Sequence, residues 1–139
     1  MQAIQIMGWA DAQLWTLPLR LTVFVNEQRV PEDLEIDQDD PLAWHAVVFV
    51  NQQAIATGRL LPSGKIGRLA VLRPYRGQGI GTAIVKSLMQ FGMQNQITRF
   101  YLHAQTAAQG FYERLGFKAT GSNFHEAGIE HIQMVLNND

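Results

Sequence analysis

The sequence predicts a single-domain α/β fold in which a mixed central β-sheet is flanked by helices. Three observations carry this expectation. The chain has 139 residues, the size of one domain. β-prone runs cluster between Trp44 and Leu72 and return at Arg99 and Ile129. Between those groups, from near Gly79 to near Gln94, apolar residues recur at helical spacing. Strands, helix, strand, helix and strands in that order make a mixed layer with helices packed on the sheet.

In chain order, Ala3 to Met7 reads as a first strand. Asp11 is the expected cap of a helix running through Leu14, Leu17 and Leu21, with Pro18 at a break or kink. Thr22 to Gln28 is rich in β-branched and aromatic residues, and propensity leaves it open to strand or continuing helix. Pro31 to Pro41 is polar and acidic and reads as a loop. Trp44 to Val50 and Gln53 to Leu61 flank Asn51-Gln52 as a hairpin. Pro62-Ser63-Gly64 is a second turn before a strand from Lys65 to Leu72, which completes an antiparallel meander. After the helix come a strand from Arg99 to Ala104 and a short helix from Ala107 to Leu115, stopped by Gly116. Phe117 to Ala119 and Ile129 to Val135 close the sheet. No repeat, linker or low-complexity tract divides residues 1–139, so one domain is expected throughout.

Composition narrows the function. There is no Cys, which removes disulfides, a cysteine nucleophile and a Cys-ligated metal. The His residues form no helix-spaced pair, so no metal is expected. No apolar run approaches the roughly 20 residues of a membrane span, and no secretory segment is visible at the start. A cytosolic protein without membrane or nucleic-acid partners is the expectation, since the net charge is only −1. The charges are unevenly spread. Seven of the twelve acids lie between Glu27 and Asp40. From Pro41 to Tyr112 there is none, while Arg59, Lys65, Arg68, Arg73, Arg76, Lys86 and Arg99 fall there. That stretch presents no fixed negative charge of its own to a polyanion.

The segment Arg73-Pro74-Tyr75-Arg76-Gly77-Gln78-Gly79-Ile80-Gly81-Thr82 joins a strand to a helix. Glycine lets a bulky ligand approach the backbone. The first N–H groups of the helix have no intrahelical partner and carry the positive end of its dipole. This is a phosphate-receiving geometry, to which Arg73 and Arg76 can add charge-assisted contacts. A P-loop would need Lys after its last glycine, and none is present. The dinucleotide fingerprint requires Gly-x-Gly-x-x-Gly and an acid about 20 residues later. Here the glycines alternate, and the next acid is Glu113.

Arg76-x-x-Gly79-x-Gly81 resembles the pyrophosphate-binding signature of the Gcn5-related N-acetyltransferases (GNAT). Ala108-Gln109-Gly110-Phe111-Tyr112-Glu113-Arg114-Leu115-Gly116-Phe117, about 30 residues on, resembles that family's second segment. The order of elements is similar over most of the chain. Arg20-x-x-Val23-Phe24-Val25-x-Glu27-Gln28, Glu35-x-Asp37-x-x-Asp40, Leu102 to Gln105 and Phe124 to His131 further resemble the ElaA/YjcF-like branch. The first of these is also similar to acyl-homoserine-lactone synthases, which share the fold.

The resemblance implies a GNAT fold and acetyl-CoA as acyl donor, with no metal. It places the donor along Leu69, Ala70 and Val71, on the loop from Arg76 through Gly77, Gln78, Gly79, Ile80, Gly81 and Thr82, and at Gln105 and Tyr112. It implies that Tyr112 protonates the departing thiolate. A free Tyr has a pKa near ~10 and is protonated at neutral pH. Core packing beside Phe111 and Phe117 is its ordinary alternative.

Many members carry a carboxylate on the strand before the loop, but Ile66, Gly67, Arg68 and Leu69 offer none. Candidates for the base lie elsewhere. His103 and Glu126 are assigned to catalysis with Tyr112. Glu27, Glu35, Asp37 and His131 are assigned to an acceptor side whose acids attract a cationic amine. Each of these can equally be a surface or hydrogen-bonded residue. Without Cys, direct attack in a ternary complex is the simplest route. The expected protein is therefore an N-acetyltransferase acting on a small-molecule or protein amine, with a homodimer as its assembly. A non-catalytic acyl-CoA sensor and an acyl-CoA-dependent synthase of a signalling molecule are the alternatives.

Overall fold

A computed structural model describes residues 2–31 and 37–137. Seven strands form one sheet in the order β1-β2-β3-β4-β5-β7-β6. They are β1 (Gln2–Met7), β2 (Trp44–Val50), β3 (Gln53–Leu60), β4 (Lys65–Val71), β5 (Arg99–Gln105), β6 (Lys118–Glu126) and β7 (Ile129–Asn137). Every neighbouring pair is antiparallel except β4 and β5. The helices are α1 (Trp9–Arg20), α2 (Ile80–Gln94) and α3 (Gln109–Arg114). The expected mixed α/β architecture is what the chain adopts.

Local chemistry explains the joints. Asn51 and Gln52 both take positive φ, 51° and 67°, the two-residue turn whose twist suits a hairpin. Ala127 and Gly128 repeat this at 52° and 77° between β6 and β7. α2 buries Ile80, Ile84, Val85 and Leu88 on one stripe. They meet Ile66, Phe100, Leu102 and Met134 of the sheet in the main core. Full burial of one such side chain stabilises by roughly 1.5–3 kcal/mol. α1 covers the opposite sheet face, where His45, Val47, Thr57 and Arg59 are buried.

The structure corrects three local expectations. The helix cap is Gly8, in extended conformation, and Asp11 lies in the first turn. Its carboxylate there favours the positive end of the dipole without capping it. Pro18 does not break the helix. α1 continues past it to Arg20 and widens into a π-helical segment, Leu21–Glu27, which resolves the ambiguity of Thr22 to Gln28. Finally, β6 is nine residues long, where only Phe117 to Ala119 had looked like strand. It is an edge strand with nearly every residue exposed, so it lacks the apolar alternation that marks a half-buried one.

Candidate active site

The site begins with a parting of strands. β4 and β5 pair only through Lys65↔Tyr101 and Ile66↔Leu102. Beyond Ile66, β4 carries a bulge. Gly67 faces Arg59 and Ala70 faces Thr57, so Arg68 and Leu69 together oppose Gly58 alone. Arg68 takes φ +48° there. A bulge bends its strand and sharpens the local twist, and β4 turns away from β5. From Gly67 to Val71 its β5-facing edge has no strand partner. A cleft of about 950 Å³ fills the gap.

At the far end of β4 lies the glycine loop. Gly77 and Gly79 hold φ +76° and +79°, a region where a side chain is strained. Nothing lies within 4 Å of where either Cβ would be. Gly79 caps α2, and the first ladder bond runs from the Ala83 N–H to its carbonyl, so the N–H groups of Ile80, Gly81 and Thr82 are left for a ligand. These residues line the cleft, as do Leu69, Ala70 and Val71. Gln78 is absent from the lining, and its amide donates to the Pro74 carbonyl at 3.4 Å.

The walls beyond the loop bring the titratable residues together. Tyr112, on α3, lines the cleft with its ring against Phe111 and Phe117. Burial pushes its hydroxyl up to about 12, so it stays protonated at neutral pH. On β5, His103 Nδ1 lies 3.1 Å from Glu126 Oε1. A carboxylate only accepts, so Nδ1 carries the proton and Nε2 has the lone pair in the neutral ring. His131 Nδ1 donates to the Ile129 carbonyl at 2.7 Å, and its Nε2 lies 4.0 Å from Glu126 Oε2. Phe124 packs edge-on to His103 and stacks on His131. All three polar residues line the cleft, so His103, Glu126 and His131 converge. Gln105 also lines it and donates to Gln28 at 3.0 Å.

The acids behave differently from expectation. Glu27 is turned from the cleft and forms a bidentate pair with Arg76, at 2.7 and 2.8 Å, with Arg73 at 3.6 Å. The Arg76 hydrogen bonds hold its carboxyl below the usual range. Arg76 also donates from Nε to the Val71 carbonyl, so its fork faces Glu27 and not the ligand space. Asp37 does line the cleft, but is paired with Arg59 and Arg68, both at 2.9 Å. Asp40, fully buried, takes Arg20 in a bidentate pair and Arg59 at 3.0 Å. Folding thus sets the acids of the N-terminal third against arginines of the middle third, and that stretch is not free of fixed negative charge. Glu35 lies outside the described residues. Among the described residues no helix is long and apolar enough to cross a membrane.

A family model described as an acetyltransferase (GNAT) domain matches residues 16–138. This chain belongs to the Gcn5-related N-acetyltransferase family. It is 36% identical over 121 residues to the uncharacterized N-acetyltransferase YjcF of Bacillus subtilis, covering 84% of this chain and 86% of that one. The crystal structure of Escherichia coli ElaA superposes with a TM-score of 0.86 at 30% identity, over 97% of this chain and 99% of ElaA. An acyl-CoA N-acyltransferase from Pseudomonas aeruginosa gives 0.88 at 31% identity, over 97% and 99%. The likeness to YjcF and ElaA places the chain in their branch of the GNAT family.

Acyl-CoA-dependent acyl transfer is therefore its class of chemistry. The splayed strands and open glycine loop fit such a donor. A bare strand edge offers N–H and C=O groups to an amide-bearing arm, and the α2 N-terminus faces the space where phosphates would lie. The sequence missed the bulge at Arg68, since nothing in Gly67-Arg68-Leu69 marks a positive φ. Ala127-Gly128 is the signal that reveals the β6–β7 hairpin and hence the place of Glu126.

Proposed function

We propose that the chain is an acetyl-CoA-dependent N-acetyltransferase in which His103 is the general base and Tyr112 the general acid. The convergence of His103, Glu126 and Tyr112 on one cleft supports this reading. A bound acetyl-CoA supplies an electrophilic thioester carbonyl. Glu126 fixes the His103 ring through Nδ1, and the free Nε2 takes a proton from the acceptor amine as its nitrogen attacks. The carbon–nitrogen bond forms, the carbon–sulfur bond breaks, and Tyr112 gives its hydroxyl proton to the departing thiolate. Solvent then restores both groups. His131 and Asp37 complete the acceptor wall.

Thiol release from acetyl-CoA across a panel of amines tests the reading. Amine-dependent release is expected, falling roughly 10²–10⁴-fold in His103→Ala, with acetyl-CoA affinity within about threefold of the parent. Tight acetyl-CoA binding with no release for any amine would favour a sensor instead.

A further inference from the structure

The cleft extends past the reacting groups to the start of β4, where Lys65 lines it. Four arginine and lysine side chains line the cleft: Arg59, Lys65, Arg68 and Arg76. Three of them hold carboxylates, Arg59 and Arg68 on Asp37 and Arg76 on Glu27. Among the described residues the Lys65 ammonium is in no hydrogen bond or ion pair, although the residue is partly buried. It is also remote from the phosphate end. Val71 lies six residues further along β4, roughly 20 Å of strand.

Gly67 supplies a second, independent observation. It follows Ile66, the last β4 residue paired with β5, lines the cleft together with His103, and by strand alternation lies on the face that Lys65 shares. It is not among the positive-φ glycines, and nothing lies within 4 Å of where its Cβ would be. Neither backbone nor packing requires glycine here. What its missing side chain leaves is open space between Lys65 and His103.

We propose that Lys65 is an anion subsite for the acceptor, and that the acceptor is a short amine bearing a carboxylate. Its nitrogen lies at His103 Nε2, its chain crosses Gly67, and its carboxylate meets the Lys65 ammonium. One ammonium matches one singly charged carboxylate. Lys65 pairs with Tyr101, two residues before His103 on the neighbouring strand, so the two Cα atoms stand roughly 8 Å apart, which suits a few bonds between amine and carboxylate.

The inference rests on the acetyl-transfer reading, and the experiment separates the two. Glycine, β-alanine and 4-aminobutyrate are each compared with their primary amides in thiol release. In parallel, the N-acetyl forms of both series are titrated into CoA-loaded protein. The best carboxylate is expected to exceed its amide at least tenfold in kcat/KM and in affinity. That ratio falls to about one in Lys65→Gln and persists in Lys65→Arg. Gly67→Ala, whose Cβ would meet no heavy atom within 4 Å, raises the acceptor KM while acetyl-CoA affinity holds. Thiol release with a ratio unchanged in Lys65→Gln overturns the subsite and leaves acetyl transfer standing. Lys65-dependent binding without thiol release keeps the subsite and counts against acetyl transfer. Neither binding preference nor release overturns both.

Discussion

At Tyr112 burial alone moves a single group far from its ordinary range. Its ring packs on Phe111 and Phe117, and desolvation disfavours the phenolate until about pH 12. In the proposed reaction Tyr112 is therefore a protonated donor throughout the neutral range. Tyr112→Phe is expected to lower kcat by roughly 10²-fold with little change in acetyl-CoA KM. The parent's rate should show no alkaline loss from this group up to pH 10. Steady-state kinetics across pH 6–10 checks both. Asp40 shows the same balance with opposite sign. Burial pushes its carboxyl up, but the Arg20 and Arg59 guanidiniums outweigh this and hold it below 3.8. A depressed folded pKa stabilises above the unfolded value and is lost as pH falls through the folded one. Thermal melts should therefore hold down to about pH 4 and fall below it. Asp40→Ala leaves two buried guanidiniums facing each other, at a cost of about 3–5 kcal/mol, measurable by urea denaturation.

At the scale of elements, the cleft exists because β4 bends. The bend needs room opposite it, and Gly58 provides that room. A Cβ at Gly58 would come within 2.6 Å of Ile84 Cγ2 and 3.3 Å of Leu69 and Leu88. Gly58→Ala must push α2 from the sheet or flatten the bulge. It is expected to cost about 1–3 kcal/mol and to weaken acetyl-CoA binding, which calorimetry on the folded variant would detect. Gly58 carried no turn signal in the sequence, since it lies inside an apolar run. The bulge was illegible because it depends on a contact between β3 and α2, elements 20 and more residues apart. The glycine loop was legible because its whole geometry is local: strand, alternating glycines and helix follow one another directly.

Across the whole molecule, the sequence made the glycine loop and its helix visible and left the other cleft-lining residues scattered. Gly77, Gly79, Ile80, Gly81, Thr82 and Tyr112 line one cleft, whereas Gln78 does not. His103, Glu126 and His131 come from three strands, and their meeting depends on the β5-β7-β6 order, which local spacing cannot carry. The acids of the first third were visible, but their partners were not, since Glu27 finds Arg76 49 residues away and Asp37 finds Arg68 31 away. Glu27 on Arg76 and Gln28 on Gln105 tie the end of the π-helical segment to the loop after β4 and to β5. In the proposed reaction both substrates meet in this one cleft. Initial rates of thiol release, measured with acetyl-CoA and an amine acceptor varied together, test it most directly. Release that requires both substrates, with double-reciprocal lines that intersect, is the expected result. Parallel lines, or release that proceeds equally without the amine, would contradict direct transfer in a ternary complex.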